Sequence, residues 1–232
     1  MSAVRSLGIV TIGQSPRTDL VPEMMPHLPG VRPIERGALD GMTPEQITDL
    51  APKAADARVL TSRLSSGAAV LLDHDLVPGL VQNAVRELET LEVDATLVVC
   101  TGTFPPLRHR KPLFSADALF VGGVAAVLGR SVTTLGVISP LDEQREAAAA
   151  KWSDVAERVI GRSATPYVPD SAAAAAAVAA AARQLRAAGA EAVVLDCMGY
   201  TEAMRAAARA EGQVPVLLAR SVVARLAGEV VA

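Results

Sequence analysis

The sequence is poor in aromatic residues, with one tryptophan, two tyrosines and three phenylalanines in 232 residues. A surface that stacks nucleic-acid bases needs such side chains beside a basic stripe. The formal charge is −3 and no basic block stands out, so no nucleic-acid partner is expected. Cysteine is as scarce, with Cys100 and Cys197 as the two copies. The N-terminus shows no secretory leader pattern, so two cysteines do not read as a disulfide framework, and no Cys/His cluster has zinc spacing. Both thiols are read as free, and no metal site is expected. Long apolar runs are missing too. Half of the residues are hydrophobic, 50%, yet none of the runs reaches the roughly 18–20 residues that span a bilayer. The alanine-rich stretch 171–190 is interrupted by Arg183 and Arg186. The expectation is a cytoplasmic protein with no membrane partner, and a homo-oligomer is compatible with the composition.

What the chain does have is a series of short apolar, β-branched runs alternating with helical patterns. Leu7-Gly8-Ile9-Val10-Thr11-Ile12 reads as a central parallel strand closed by Gly13. Ser15 followed by Pro16 is a helix-start signal, so a helix is expected from there to about residue 28. Its free amides, with Gln14, Ser15 and Arg17, form a candidate anion site; the plainer reading is a capped helix with a solvated arginine. A strand is expected over 31–39, and Thr43-Pro44-Glu45-Gln46 has capping-box spacing. Residues 58–64 and 68–74 read as a hairpin around Ser65-Ser66-Gly67, ending on Asp73-His74-Asp75, either site residues or a helix cap at Asp75. Residues 76–91 form an amphipathic helix leading to the strand 95–100.

Residues 101–112, with three prolines and the set Arg108, His109, Arg110 and Lys111, read as a crossing loop whose basic face is solvated or draws in an anion. Beyond it, helices are expected over 115–128, from Ser139-Pro140 to about residue 160, from an Asp170 or Ser171 cap through the alanines, and over 201–211 and 220–231. Strands are expected over 131–138, 165–168, 191–196 and 214–218. Alternating strands and helices with near-continuous apolar strands imply parallel sheets covered on both faces.

Two features repeat. Leu7-Gly8-Ile9-Val10 matches Leu135-Gly136-Val137-Ile138, and each leads to a Ser-Pro pair. Each cysteine ends an apolar run and precedes a glycine two residues on: Cys100-Thr101-Gly102 and Cys197-Met198-Gly199. The expected fold is α/β, as two similar Rossmann-like lobes with mainly parallel sheets flanked by helices. Residues 1–104 plus 213–232 are assigned to the first lobe and 105–212 to the second, with an active-site cleft between them. A thiolate among backbone amides at a strand-to-helix junction is a competent base, and a thiol opposite it a competent acid. Donors at Thr101, Gly102, Thr103, Ser139, Gly199, Tyr200 and Thr201 are candidates to bind a small carboxylate ligand and stabilise a developing enolate. The bland reading of each cysteine is a small buried hydrophobe.

At Thr11-Ile12-Gly13-Gln14-Ser15-Pro16-Arg17, at Leu195-Asp196-Cys197-Met198-Gly199 and at Val214-Pro215-Val216-Leu217-Leu218 the chain resembles the AroM family. More broadly it is similar to the aspartate/glutamate/hydantoin racemase superfamily. That resemblance implies two α/β lobes and catalysis without metal or pyridoxal phosphate, with Cys100 and Cys197 as acid and base. Such racemases often carry Asn-Thr after the first cysteine and Thr-His after the second. Thr101-Gly102 and Met198-Gly199 stand there instead, so the amino-acid ammonium contacts do not carry over. The function implied is a racemase, epimerase or isomerase of a small carboxylate-bearing compound. The alternatives are a non-catalytic binding or regulatory protein and a one-cysteine decarboxylase or cis–trans isomerase.

Overall fold

The computed structural model describes residues 5–129 and 131–231. The chain divides into two compact units, one drawn from Met1–Leu119 with Val223–Ala232 and the other comprising Phe120–Val222.

In the first unit, β1 (Arg5–Thr11) is followed by a short helix α1 (Val21–Met24), β2 (Val31–Gly37) and α2 (Pro44–Asp49). A hairpin of β3 (Val59–Arg63) and β4 (Ala69–Asp73) comes next, then α3 (Val77–Thr90), β5 (Ala95–Val98), β6 (Leu113–Ser115) and the start of α4 (Ala116–Leu128), whose residues from Phe120 on belong to the second unit. Four strands form a parallel sheet in the order β2-β1-β5-β6, and the hairpin is a separate antiparallel pair. All of β5 and all but the first residue of β1 are buried, as both-face coverage of a parallel sheet requires. Gly8 is what lets α3 approach β1: a Cβ there would stand 2.9 Å from Leu88 Cδ1. The apolar face of α3, Val77, Val81, Ala84, Val85 and Leu88, is buried. The capping box on α2 forms as its spacing predicts, with Thr43 and Gln46 side chains each taking the other's backbone N–H.

The second unit repeats this plan. Its strands are β7 (Thr134–Ser139), β8 (Arg158–Ser163), β9 (Ala192–Leu195) and β10 (Val216–Leu218), with helices α5 (Arg145–Trp152), α6 (Ser171–Ala187) and α7 (Glu202–Gly212) and the start of α8 (Ala219–Val231), whose residues from Val223 on belong to the first unit. The sheet order is β8-β7-β9-β10, again all parallel. Gly136 does for α6 what Gly8 does for α3, its Cβ position lying 3.0 Å from Leu185 Cδ1. The alanines of α6 allow close helix packing: a Cβ on Gly212 of α7 would meet Ala182 Cβ at 3.2 Å. Asp170 is the cap, its carboxylate accepting the N–H groups of Ala172 and Ala173. The repeat extends to the unit boundaries, which fall after the fourth residue of α4 and after the fourth residue of α8.

Four local expectations are corrected. No helix starts at Ser15-Pro16: the Ser15 N–H donates to Asp40 Oδ1 at 2.8 Å and the Arg17 N–H to Glu35 Oε2 at 2.7 Å. These distant carboxylates outcompete a local cap, and α1 begins at Val21. The helix after Ser139-Pro140 ends at Trp152, and β8 occupies residues expected to prolong it. Residues 165–168 are not a strand. Asp75 caps nothing, since α3 starts after Leu76 with no side-chain cap. Among the described residues, no helix is long and apolar enough to cross a membrane.

Candidate functional site

Both cysteines lie just past the carboxyl end of a strand that is inner in its parallel sheet, where loops of α/β folds gather ligands. In the first unit the Val99 N–H donates to Val10 O at 2.8 Å, prolonging the β1–β5 ladder and delivering Cys100 to the sheet edge. Cys100 is buried, 8% exposed. Its Sγ accepts the Gly102 N–H at 3.3 Å. A Cβ on Gly102 would stand 2.8 Å from Leu60 Cδ2 and 3.4 Å from Sγ, so the turn has room for glycine only if Leu60 stays in place. Thr103 anchors the loop at both ends of its residue: Oγ1 donates to Asp117 Oδ2 at 3.1 Å, and its carbonyl accepts from His74 Nε2 at 2.7 Å. His74 in turn stacks on Phe104, with centroids 5.9 Å apart. The other ring nitrogen, Nδ1, faces Asp75 Oδ1 at 3.0 Å. Contacts to His74 first, then to Arg58, hold the Asp75 carboxyl below the usual aspartate range. The hairpin thus supports the cysteine loop through His74 and Leu60. Of the basic set, Arg110 is tied by its N–H and Nε to Glu89, and the Lys111 N–H binds the same carboxylate.

In the second unit the Asp196 N–H donates to Ile138 O at 2.9 Å, and Cys197 follows, 8% exposed. Its Sγ accepts the Gly199 N–H at 3.4 Å and lies 3.4 Å from the Tyr167 hydroxyl. A Cβ on Gly199 would be 2.5 Å from that hydroxyl oxygen, so glycine is what permits tyrosine and thiol to meet. Directly before Cys197, the buried Asp196 carboxylate binds Lys151 Nζ at 2.8 Å and Trp152 Nε1 at 2.9 Å. Directly after it, Arg220, 1% exposed, donates Nε and Nη2 to Met198 O at 3.1 and 3.0 Å and Nη2 to Gly199 O at 3.3 Å. Tyr200 is fully buried and its hydroxyl donates to Ala164 O at 2.7 Å. Burial first, then the charges of Cys197, Asp196 and Tyr167, pushes its phenol well above the ordinary tyrosine value. Thr201 caps α7, its Oγ1 accepting the Met204 N–H. Ser139 is the last residue of β7 and is buried.

A third group, expected as an anion site, is engaged by the protein's own groups. Gln14 Oε1 accepts the N–H and hydroxyl of Ser65, both at 2.9 Å, and the Gln14 N–H donates to Arg63 O. Ser15 binds Asp40 through both its N–H and its Oγ. The Arg17 guanidinium is 4% exposed and binds Asp19, Thr11 Oγ1 and Ser62 Oγ. This segment ties β1 to β2 and to the hairpin. Tyr167, Arg220 and the Lys151–Trp152–Asp196 group are the residues that sequence reasoning missed. Tyr167 could have been singled out as one of two tyrosines. Arg220 carried no signal in the sequence; in the folded repeat the shift that carries Leu113 of β6 onto Val216 of β10 carries Asp117 onto Arg220. Among the described residues, no group of three or more His, Cys, Asp or Glu side chains is arranged to hold a metal ion.

Each sulfur therefore sits on a glycine amide two residues on, in two copies of one sheet plan. Residues 7–231 match the family model described as AroM protein. The chain belongs to the AroM family. Among curated proteins, none matches it. Among solved structures, allantoin racemase from Klebsiella pneumoniae superposes with a TM-score of 0.62 at 13% identity, covering 98% of this chain and 87% of that one. The aspartate racemase of Picrophilus torridus gives 0.58 at 11% identity, over 93% and 89%. Unliganded arylmalonate decarboxylase gives 0.57 at 14% identity, over 98% and 92%. At these identities what this AroM chain shares with them is the fold, two-lobed α/β with parallel sheets flanked by helices.

Proposed function

We propose that the chain is a cofactor-independent racemase, epimerase or related isomerase of a small carboxylate-bearing compound, with Cys100 and Cys197 as its acid–base pair. The observation that carries this reading is the repeated turn: Gly102 and Gly199 N–H groups at 3.3 and 3.4 Å from the two sulfurs. A hydrogen bond from an amide stabilises a thiolate over a thiol, which is what a cysteine base needs. One thiolate takes the proton from the carbon next to the carboxylate, leaving an enolate. The other thiol gives its proton to the opposite face of that carbon and becomes the thiolate for the reverse reaction. Hydroxyls of Thr101 and Thr201 are candidates in the two turns to bind the carboxylate or enolate oxygens. The proton inventory closes on the two thiols, so the step calls for no metal and no pyridoxal phosphate.

The test is a panel of chiral small carboxylates incubated with the protein in D2O and followed by NMR. The reading predicts α-deuteration and loss of optical purity for at least one chemical class. Thermal stabilisation by a ligand without exchange, persisting when both cysteines are serine, would instead make the chain a binding protein.

One observation favours a second reading, a one-thiol decarboxylase. Tyr167 gives Cys197 an additional acid at 3.4 Å, and arylmalonate decarboxylase is among the proteins that share the fold. Carbon dioxide release from malonate-type acids, lost on substitution of one cysteine and kept on substitution of the other, would select it.

A further inference from the structure

We propose that Arg220 is a positioning residue for Cys197, and that Asp117 holds the same post in the first unit for Cys100. The planarity of one peptide couples the arginine to the thiol. Met198 C=O and Gly199 N–H belong to the same trans peptide unit, so they point in opposite directions. Arg220 grips that carbonyl with two donors, Nε at 3.1 Å and Nη2 at 3.0 Å, and the next carbonyl with Nη2 at 3.3 Å. Fixing the carbonyl on one side aims the amide at the other, where Cys197 Sγ lies 3.4 Å away. A cation on the oxygen also polarises the amide and makes it a stronger donor. Burial of the guanidinium, 1% exposed, removes competing water.

The repeat supplies the second observation. Arg220 is the second residue of α8, directly after β10, and Asp117 is the second residue of α4, directly after β6. Asp117 Oδ2 accepts the Thr103 hydroxyl at 3.1 Å, one residue beyond the glycine whose N–H reaches Cys100 Sγ. The same helix position thus holds both cysteine turns, with opposite charge and complementary partners: a cation on carbonyls, an anion on a hydroxyl. The other titratable groups packed about Cys197 are Tyr167, Tyr200 and Asp196, the last paired with Lys151. Those about the Cys100 turn are His74, with Asp75 beside it. None of them is altered by the substitutions below.

The inference rests on the reading that both thiols are chemically active, but its test needs no substrate. The full-length protein is treated with iodoacetamide over a pH series, and alkylation of Cys100 and Cys197 is quantified separately by peptide mass spectrometry. In Arg220→Met the midpoint for Cys197 moves to higher pH, and its alkylation at neutral pH slows. The slowing is roughly threefold for each unit moved, because the smaller thiolate fraction is partly offset by greater nucleophilicity. Cys100 in the same molecule is unmoved. Arg220→Lys keeps the charge, loses the fork and gives an intermediate shift. Thr103→Val removes the hydroxyl that donates to Asp117 without changing its charge, and moves Cys100 alone. A loss of stability by itself would alter the melting temperature and leave both midpoints in place. The proposal is overturned if Cys197 keeps its wild-type profile in folded Arg220→Met or Arg220→Lys protein, or if each substitution moves both cysteines together. Should Arg220→Met fail to fold, Arg220→Lys and Thr103→Val decide the matter. A protein that exchanges no α-proton but shows these shifts would sink the isomerase reading and leave this one standing.

Discussion

Gly199→Ala tests the construction of the Cys197 turn at one atom. The added Cβ would stand 2.5 Å from the Tyr167 hydroxyl oxygen, 2.6 Å from Cζ and 2.7 Å from Cε1. All three are inside van der Waals contact, and all belong to one ring. The ring must therefore leave, and with it the hydroxyl that lies 3.4 Å from Sγ. Overpacking of this kind costs about 1–3 kcal/mol, which for a chain of this size is about 2–4 °C of melting temperature per kcal/mol. Circular-dichroism melts of Gly199→Ala, Tyr167→Ala and the double variant form a cycle. If the ring is the obstacle, the alanine costs little once Tyr167 is already truncated, and the two changes are strongly non-additive. A Gly199→Ala protein that melts like wild type, or one whose loss is the same in both backgrounds, would refute the steric reasoning.

Three further predictions concern the frame around the site. Gly13→Ala puts a Cβ 2.3 Å from the Arg63 backbone oxygen, whereas in Gly102→Ala the nearest atom is the tip of Leu60 at 2.8 Å. Backbone cannot swing aside, so urea midpoints should fall further for Gly13→Ala. Trp152→Phe leaves Asp196 Oδ2 without its 2.9 Å donor in a buried site, at a cost of about 1–3 kcal/mol. It must be read by circular dichroism, because Trp152 is the single tryptophan. For Asp19, burial opposes ionisation, but the hydrogen bond and charge of Arg17 and the charge of Arg63 prevail and hold the carboxyl below 3.8. A folded value below the unfolded one means a contribution present in full above the ordinary aspartate range and lost as pH falls through the folded value. Melting temperature in Asp19→Asn should accordingly fall less steeply below about pH 4 than in wild type.

The strands most legible in the sequence are those that the fold buries on both faces. Leu7-Gly8-Ile9-Val10 and Leu135-Gly136-Val137-Ile138 became the inner strands β1 and β7, with glycines that admit equivalent leucines. Edge strands were harder. Arg158-Val159-Ile160-Gly161 is half-buried and lacks a long apolar run, so periodicity merged β8 with the helix before it. Its register partner in the repeat would have betrayed it: Ile34 opposite Gly8 and Ile160 opposite Gly136, each two residues before an arginine. Those arginines, Arg36 and Arg162, both donate to the carbonyl of the residue before them at 2.8 Å. The Ser15-Pro16 signal misled for a different reason. Capping is a local preference worth about 1 kcal/mol, and carboxylates of Asp40 and Glu35 from distant segments took the same amides. Both cysteines could be picked out from sequence because each ends a strand before a glycine. Tyr167 and Arg220 reach Cys197 and its turn only through tertiary structure, which no local pattern encodes.

The central claim is that two thiols divide one proton transfer. On the first carboxylate found to exchange, α-deuterium incorporation should be measured from each enantiomer in wild type, Cys100→Ser and Cys197→Ser. A serine hydroxyl is far too weak an acid and base to replace a thiol at neutral pH. The account predicts that both single variants lose exchange while remaining folded. Exchange that survives both substitutions would contradict it.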